Sequence, residues 1–309
     1  MNKNLKRLVV VAVIGALLLC ATFAFLYFCL SHPVGSGAAG SNVSPQQFSH
    51  AWTEKSVELV GIGDSVTAGF GARKGYSYFD RLIANPSDEY DAMRGVCLSA
   101  VLPKLQSTNL AVSGSTSLEH VERQLPHLPL FGTNVVGLVV ITTGGNDLIH
   151  NYGRTPPRDQ AMYGATLDEA KPWIEAFEHR LDAMVGGIEG HFPGGCQIFL
   201  ANIFDPTDGV GDTDHAGLPP WKDGRNILEA YNKAFEHCAV RHSNVHVVDV
   251  HTAFLGHGIH CTQFWSKHYD LKDPHYWYYV NLEDPNERGY DVIRRLFLLE
   301  IAKTAVQLR

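Results

Sequence analysis

Five short apolar runs punctuate the chain, and each breaks off at small or polar residues. They cover residues 58–63, 109–112, 134–142, 197–203 and 244–250. Their apolar character is continuous rather than alternating, which suits strands covered on both faces, as in a parallel sheet. Between them, residues 168–190 place Trp173, Ile174, Phe177, Leu181, Met184, Val185 and Ile188 at steps of three and four. Residues 224–240 repeat the pattern with Ile227, Leu228, Tyr231, Phe235 and Cys238. Residues 287–307 do so with Tyr290, Ile293, Leu296, Phe297, Ile301, Ala305 and Val306. Each stripe predicts an amphipathic helix whose apolar face covers a sheet. Strands alternating with helices predict right-handed βαβ units in one doubly wound α/β domain, without internal repeats.

A sixth apolar stretch differs in kind. Residues 8–30 are 23 uncharged positions preceded by Lys3, Lys6 and Arg7. As a helix they span about 34 Å, enough for a hydrocarbon core of about 30 Å. The positive flank stays cytoplasmic, so the remainder faces outward. A cleaved signal has a shorter apolar core and a small-x-small cleavage site. Phe28-Cys29-Leu30-Ser31 offers no such site, and Gly37-Ala38-Ala39 only a weak one. Residues 1–32 are therefore read as a membrane anchor in preference to a cleaved signal. Either reading puts the rest outside the cytosol. Residues 33–50, rich in Pro, Gly, Ser, Ala, Asn and Gln, read as a flexible linker, and 51–309 as the folded domain.

Composition narrows the class. Of 309 residues, 45% are hydrophobic and 18% charged, as in ordinary globular chains. The first fifty residues hold three bases and no acid. The remainder carries 22 basic against 32 acidic side chains, a balance of −10. That excess argues against a nucleic-acid partner, which needs phosphate neutralisation. Cys97, Cys196, Cys238 and Cys261 lie beyond the linker. They allow two disulfides, in three pairings, or four buried thiols, and both readings stay open.

In an open parallel sheet, ligands sit beyond the carboxyl ends of the strands. The first such end is Gly63-Asp64-Ser65-Val66-Thr67-Ala68-Gly69. It sets Ser65 at a helix start, with its hydroxyl exposed and its amide aimed into the site. Alone it is also an ordinary Asp-Ser cap. The second end runs through Asn109-Leu110-Ala111-Val112-Ser113-Gly114, where Gly114 lets a backbone amide approach a ligand. The third is Thr143-Gly144-Gly145-Asn146-Asp147, where Asn146 offers a side-chain donor. Together they supply a serine nucleophile and three donors for an oxyanion: the Ser65 and Gly114 amides and the Asn146 carboxamide. A serine nucleophile then needs a base, normally histidine.

These blocks resemble the SGNH/GDSL hydrolases, esterases and lipases of flavodoxin-like α/β/α fold, along about residues 56–305. The resemblance implies three layers around a central parallel sheet of about five strands. It also implies Ser65 as nucleophile, an oxyanion hole of Ser65, Gly114 and Asn146, and no cofactor or metal. The last block departs from the family pattern, Asp-x-x-His-Pro-Asn. Pro285-Asn286 fits its tail, but Asp284 stands in the histidine position and Asn281 in the aspartate position. About ten residues upstream lies Lys272-Asp273-Pro274-His275. The expectation is therefore that His275 is the base, that residues 276–284 are an insertion, and that Asp273 orients the imidazole. Asp270 or a carbonyl near Lys272 are alternative orienters. Asp284 and His257 are the other candidates for the base. An ordinary carboxyl pKa of about 3.9 makes Asp284 a poor match near neutral pH.

Other features read more plainly. The acidic stretch 205–214 suits a solvated loop better than a calcium loop. His251, His257, His260 and Cys261 suit a chance cluster better than zinc. Tyr276-Trp277-Tyr278-Tyr279 is either a wall for a sugar or acyl chain or a lid packed on the core. The expected function is an extracytoplasmic serine esterase acting on an acyl or acetyl ester of a lipid or glycan. It would be held to the membrane by its N-terminal helix and otherwise monomeric. The alternatives are acyl transfer to a glycan and a catalytically silent surface binding protein.

Overall fold

Five strands, β1 (Ser56–Gly63), β2 (Leu105–Asn109), β3 (Val135–Thr142), β4 (Cys196–Ala201) and β5 (Val245–Val248), form one sheet. All pairs are parallel, and the order is β2-β1-β3-β4-β5. The computed structural model describes residues 3–308. Its helices are α1 (Lys3–Phe25), α2 (Ser65–Ala68), α3 (Tyr78–Ile83), α4 (Ser117–Glu119), α5 (Gly145–Ile149), α6 (Leu167–His191), α7 (Gly224–Arg241), α8 (Val250–Phe254) and α9 (Glu287–Lys303).

The period-two geometry of a strand divides the core into two layers. Val57, Leu59, Leu138, Val140 and Phe199 face one way, against Tyr78, Phe79 and Leu82 of α3 and Ile293, Phe297 and Ile301 of α9. Val60, Ile62, Val139, Ile141, Ile198 and Leu200 face the other way, against Phe177, Leu181 and Val185 of α6 and Ile227, Tyr231 and Phe235 of α7. The three predicted stripes thus turn toward the core, except that α9 ends at Lys303 and leaves Val306 of the third stripe exposed. The result is a three-layer α/β/α fold, as the resemblance implied.

The second strand differs from expectation. Its ladder residues are the polar Leu105–Asn109, while the apolar run predicted as strand follows it. β2 is a sheet edge, so solvent rather than a helix covers much of it, and no continuous apolar run is needed. The chain beyond it still runs beside β1, with Leu110 N donating to Gly61 O and Val112 N to Gly63 O. Because Gly63 pairs with Thr142 and Thr142 with Ala201, the loops after β1, β3 and β4 emerge at one level.

The stretch read as a flexible linker is not free. Ala39, Val43 and Phe48 are buried in the core. Ala39 N donates to Asp291, and Ser41 O accepts from Arg295. Asp291 and Arg295 belong to a buried charge cluster with Arg81, Glu89 and Arg294, which ties α3 to α9. Pro, Gly and Ser composition signals the absence of helix and strand. It does not signal the absence of contacts. The four cysteines of the domain are buried free thiols, which resolves the open alternative without disulfides.

Candidate active site

Ser65 is placed by a tight turn at the end of β1. At Gly63 a Cβ would meet the Thr142 carbonyl at 2.5 Å, so only glycine lets β1 close on β3 there. Asp64 caps α2: its Oδ1 accepts from Val66 N at 3.1 Å and from Thr142 Oγ1 at 2.7 Å. Burial pushes the Asp64 carboxyl up to about 6 in spite of these bonds, and Asp284 adds to the shift.

The oxyanion side is built from behind. Gly114 turns with φ +82°, a conformation that favours glycine. The next residue, Ser115, has its Oγ 3.0 Å from Gly63 O, and its carbonyl accepts from Asn146 Nδ2 at 2.9 Å. This bond orients the carboxamide and leaves its second N–H for a ligand. Gln124 clamps the nucleophile strand, accepting from Gly63 N at 2.9 Å and donating to Gly63 O at 2.7 Å. His120 bridges Ser115 Oγ and Thr143 Oγ1, each at 2.9 Å. Burial pushes its imidazole down to about 3, so it is neutral. Asp147 accepts from Ser117 N at 2.9 Å, and Arg180 of α6 links Asp147 to Asp159. Sequence reasoning missed His120, Gln124 and Arg180. The available signal was Thr116-x-x-Glu119, which forms a capping box and starts a helix there.

The fourth block is where expectation and structure part. Residues 277–286 fold back as a hairpin: Tyr279 N donates to Asp284 O at 2.7 Å and Asn286 N to Trp277 O at 2.9 Å. Asn286 then caps α9, accepting from Arg288 N and Gly289 N. A hairpin consumes chain without moving its far end, so Asp284 stays directly before the Pro285-Asn286 cap and His275 lies elsewhere. Nδ1 of His275 does bond Asp273 Oδ1, at 2.5 Å. Asp273 in turn bonds Arg288, which reaches Ser36 O. This pair abuts the N-terminal stretch around Pro33 and Gly35, and neither residue lines the cavity at Ser65. His257 stacks on Trp277 with ring centroids 3.3 Å apart. His260 bonds Asp212 at 2.9 Å, and Asp208 accepts from the Gly256, Gly258 and His260 amides. Tyr276, Trp277 and Tyr278 are packed in the core, which decides between their two readings.

Asp284 is 2% exposed. Its Oδ2 accepts from Asn281 Nδ2 at 2.7 Å. Its Oδ1 is buried with no partner at full hydrogen-bond geometry. Burial raises its pKa, and the Ser65 hydroxyl lies near enough to oppose that shift by hydrogen bonding.

Ser65 and Asn146 open on one cavity of about 170 Å³. Leu148, Ile149, Tyr163, Ile203, Trp221 and Leu228 line it as well, with Asp205, Arg225 and Glu283 among its polar residues. Away from it, Asp182, Cys238 and His242 have ligand atoms within 4.8 Å of one another. Asp182 is already paired with Arg241 and His242, and burial pushes the Cys238 thiol up to about 12. That group therefore reads as an ion-pair cluster.

Solved structures with similar coordinates include an acetylxylan esterase from Geobacillus stearothermophilus, 19% identical, with a TM-score of 0.49 and 81% of this chain and 96% of that one covered. An extracellular lipase from Streptomyces rimosus is 19% identical, with a TM-score of 0.48 and 80% and 100% covered. A phospholipase A1 from Streptomyces albidoflavus is 18% identical, with a TM-score of 0.45 and 76% and 94% covered. No curated protein sequence matches the chain. The GDSL-like lipase/acylhydrolase family matches over residues 62–292, a span that holds the Ser65 turn, the Gly114 loop, the Asn146 turn and the Asp284 hairpin. The chain belongs to the GDSL-like lipase/acylhydrolase family.

Proposed function

We propose that this chain is a serine esterase that takes an apolar acyl group into the cavity at Ser65 and works outside the cytosol. The observation that carries this reading is the shared cavity. Ser65 and Asn146 line it together with a set of largely apolar residues, among them Leu148, Ile203 and Leu228. Ser65 Oγ attacks the ester carbonyl, and the Ser65 and Gly114 amides and the free N–H of Asn146 hold the oxyanion. An apolar wall favours acyl chains over acetyl groups by the area it removes from water.

The test is turnover by the purified domain on esters of graded acyl length and on acetylated sugars. Ser65→Ala is expected to lose several orders of magnitude in kcat, and a serine-directed phosphonate to label Ser65 alone. Asn146→Ala is expected to lose about 10²–10³ in kcat with KM little changed. Full turnover by Ser65→Ala overturns the reading.

A second reading is a catalytically silent ester-binding protein. What favours it is that, among the described residues, no histidine lines the cavity. Binding of ester without turnover or phosphonate labelling by the wild type establishes that reading instead.

A further inference from the structure

We infer that Asp284 is the base that serves Ser65, held in place by Asn281, so that a carboxylate and a carboxamide occupy the slots of an imidazole and a carboxylate. This rests on the esterase reading above. Four observations carry it. The hairpin 277–286 returns the chain to the start of α9 and leaves Asp284 directly before the Pro285-Asn286 cap. Asn281, three residues earlier, donates from Nδ2 to Asp284 Oδ2 at 2.7 Å and accepts the Asp284 amide on Oδ1 at 3.3 Å. The opposite oxygen, Oδ1, is buried and unpartnered, Leu282 and Glu283 of the same hairpin line the cavity that Ser65 lines, and hydrogen bonding from the Ser65 hydroxyl opposes the rise in the Asp284 pKa. His275, the expected base, abuts Gly35 and is absent from the residues that line the Ser65 cavity. A base need not be fully hydrogen-bonded to its nucleophile before reaction, because the bond tightens in the reacting complex.

The surroundings adapt a carboxylate to the task. The titratable groups that face Asp284 are Asp64 from the turn after β1, Glu283 on its own hairpin and Tyr290 from α9. None is a cation, and burial outweighs the opposing hydrogen bonds from Ser65 and Asn281, which makes the carboxylate a stronger base than a surface aspartate.

The step balances without a cofactor. As Ser65 Oγ bonds the acyl carbon, its proton passes to Asp284. The tetrahedral adduct collapses, the acyl C–O bond breaks, and Asp284 returns the proton to the leaving alcohol. Water then attacks the acyl-enzyme, gives a proton to Asp284, and Ser65 Oγ departs with that proton as the acid is released.

The experiment compares Asp284→Asn, His275→Ala, Asn281→Ala and the double variant Asp284→His with Asn281→Asp, each checked for folding by circular dichroism. Asp284→Asn is expected to lose about 10²–10⁴ in kcat, the usual worth of a general base. His275→Ala is expected to stay within about threefold of the wild type. Asn281 is a positioning residue, and its bond favours the ionised form of Asp284. Its loss is therefore expected to move the acid limb of kcat/KM to higher pH, a change that mere loosening of the hairpin does not produce. The double variant is expected to turn over with an acid limb near about pH 6.5, the ordinary histidine range, showing that this slot holds the base whatever its side chain. Turnover by folded Asp284→Asn at the wild-type rate, or a loss in His275→Ala as large as in Ser65→Ala, overturns the assignment and leaves the esterase intact. A wild type that neither turns over esters nor takes a phosphonate on Ser65 overturns the esterase and the assignment together. If Asp284→Asn fails to fold, the acid limbs of Asn281→Ala and the double variant decide: limbs unmoved from the wild type overturn it.

Discussion

His120 shows how much of the site rests on one neutral side chain. It joins the Ser115 loop to Thr143, and burial holds its imidazole at about 3. In the unfolded chain the same group titrates near 6.5. Between those values the unfolded state binds a proton that the folded state refuses. The contribution of neutral His120 is thus complete above pH 6.5 and is lost as pH falls toward 3. The expected result is that the difference in unfolding free energy between wild type and His120→Gln shrinks steadily from pH 7 to pH 4. A gap that stays constant with pH would mean that His120 carries the same charge folded and unfolded. Ser65, Gly114 and Asn146 could be picked from the sequence because each sits at a strand end with special chemistry. His120 and Gln124 could not, since nothing in a sequence says which polar side chain turns inward.

At the scale of elements, the long helices and the inner strands carried strong periodic signals, and the structure places them where those signals lie. The weak signals failed for physical reasons. β2 is an edge, and the 277–286 hairpin is held by backbone bonds and by Asn281, neither of which leaves a hydrophobic pattern. The segment before β1 is the other such case. It is laid along α9, with Phe48 only 4% exposed. Burying a side chain of that size stabilises by about 1.5–3 kcal/mol. A chain beginning at residue 49 is therefore expected to unfold at least about 3 °C below one beginning at residue 31, as read by thermal denaturation. Equal midpoints would show that the segment adds no stability.

The whole molecule joins this domain to an apolar helix. Residues 6–30 form a 25-residue span with no part buried against the domain in its apolar window. Where the span ends, the Phe28 ring lies 5.4 Å from both Phe264 and Trp265, which are themselves 63% and 57% exposed. Exposed aromatic residues beside the end of an apolar span suit the boundary between lipid and water. We expect the chain to stay in the membrane fraction after a carbonate wash, with an N-terminal sequence that still includes the apolar span. A soluble form starting between residues 31 and 41 would instead identify a cleaved signal.

The layer order and the Gly63-Asp64-Ser65 turn were legible in the sequence because they depend on local periodicity and on small residues whose backbone freedom is a local property. The apolar helix was legible by length and charge alone. What only the tertiary structure decided is where the two candidate bases lie: Asp284 before the α9 cap, His275 beside Asp273 and Arg288. The sequence offered His275, Asp284 and His257 by position, and the ordinary pKa of a carboxyl favoured His275 over Asp284. Chain distance is a poor guide to spatial distance once a segment doubles back on itself. The hairpin absorbs the residues between the two candidates, keeps Asp284 beside the Asn286 cap and sends His275 to Asp273 and Arg288. Burial then shifts the carboxyl away from the value that had counted against it.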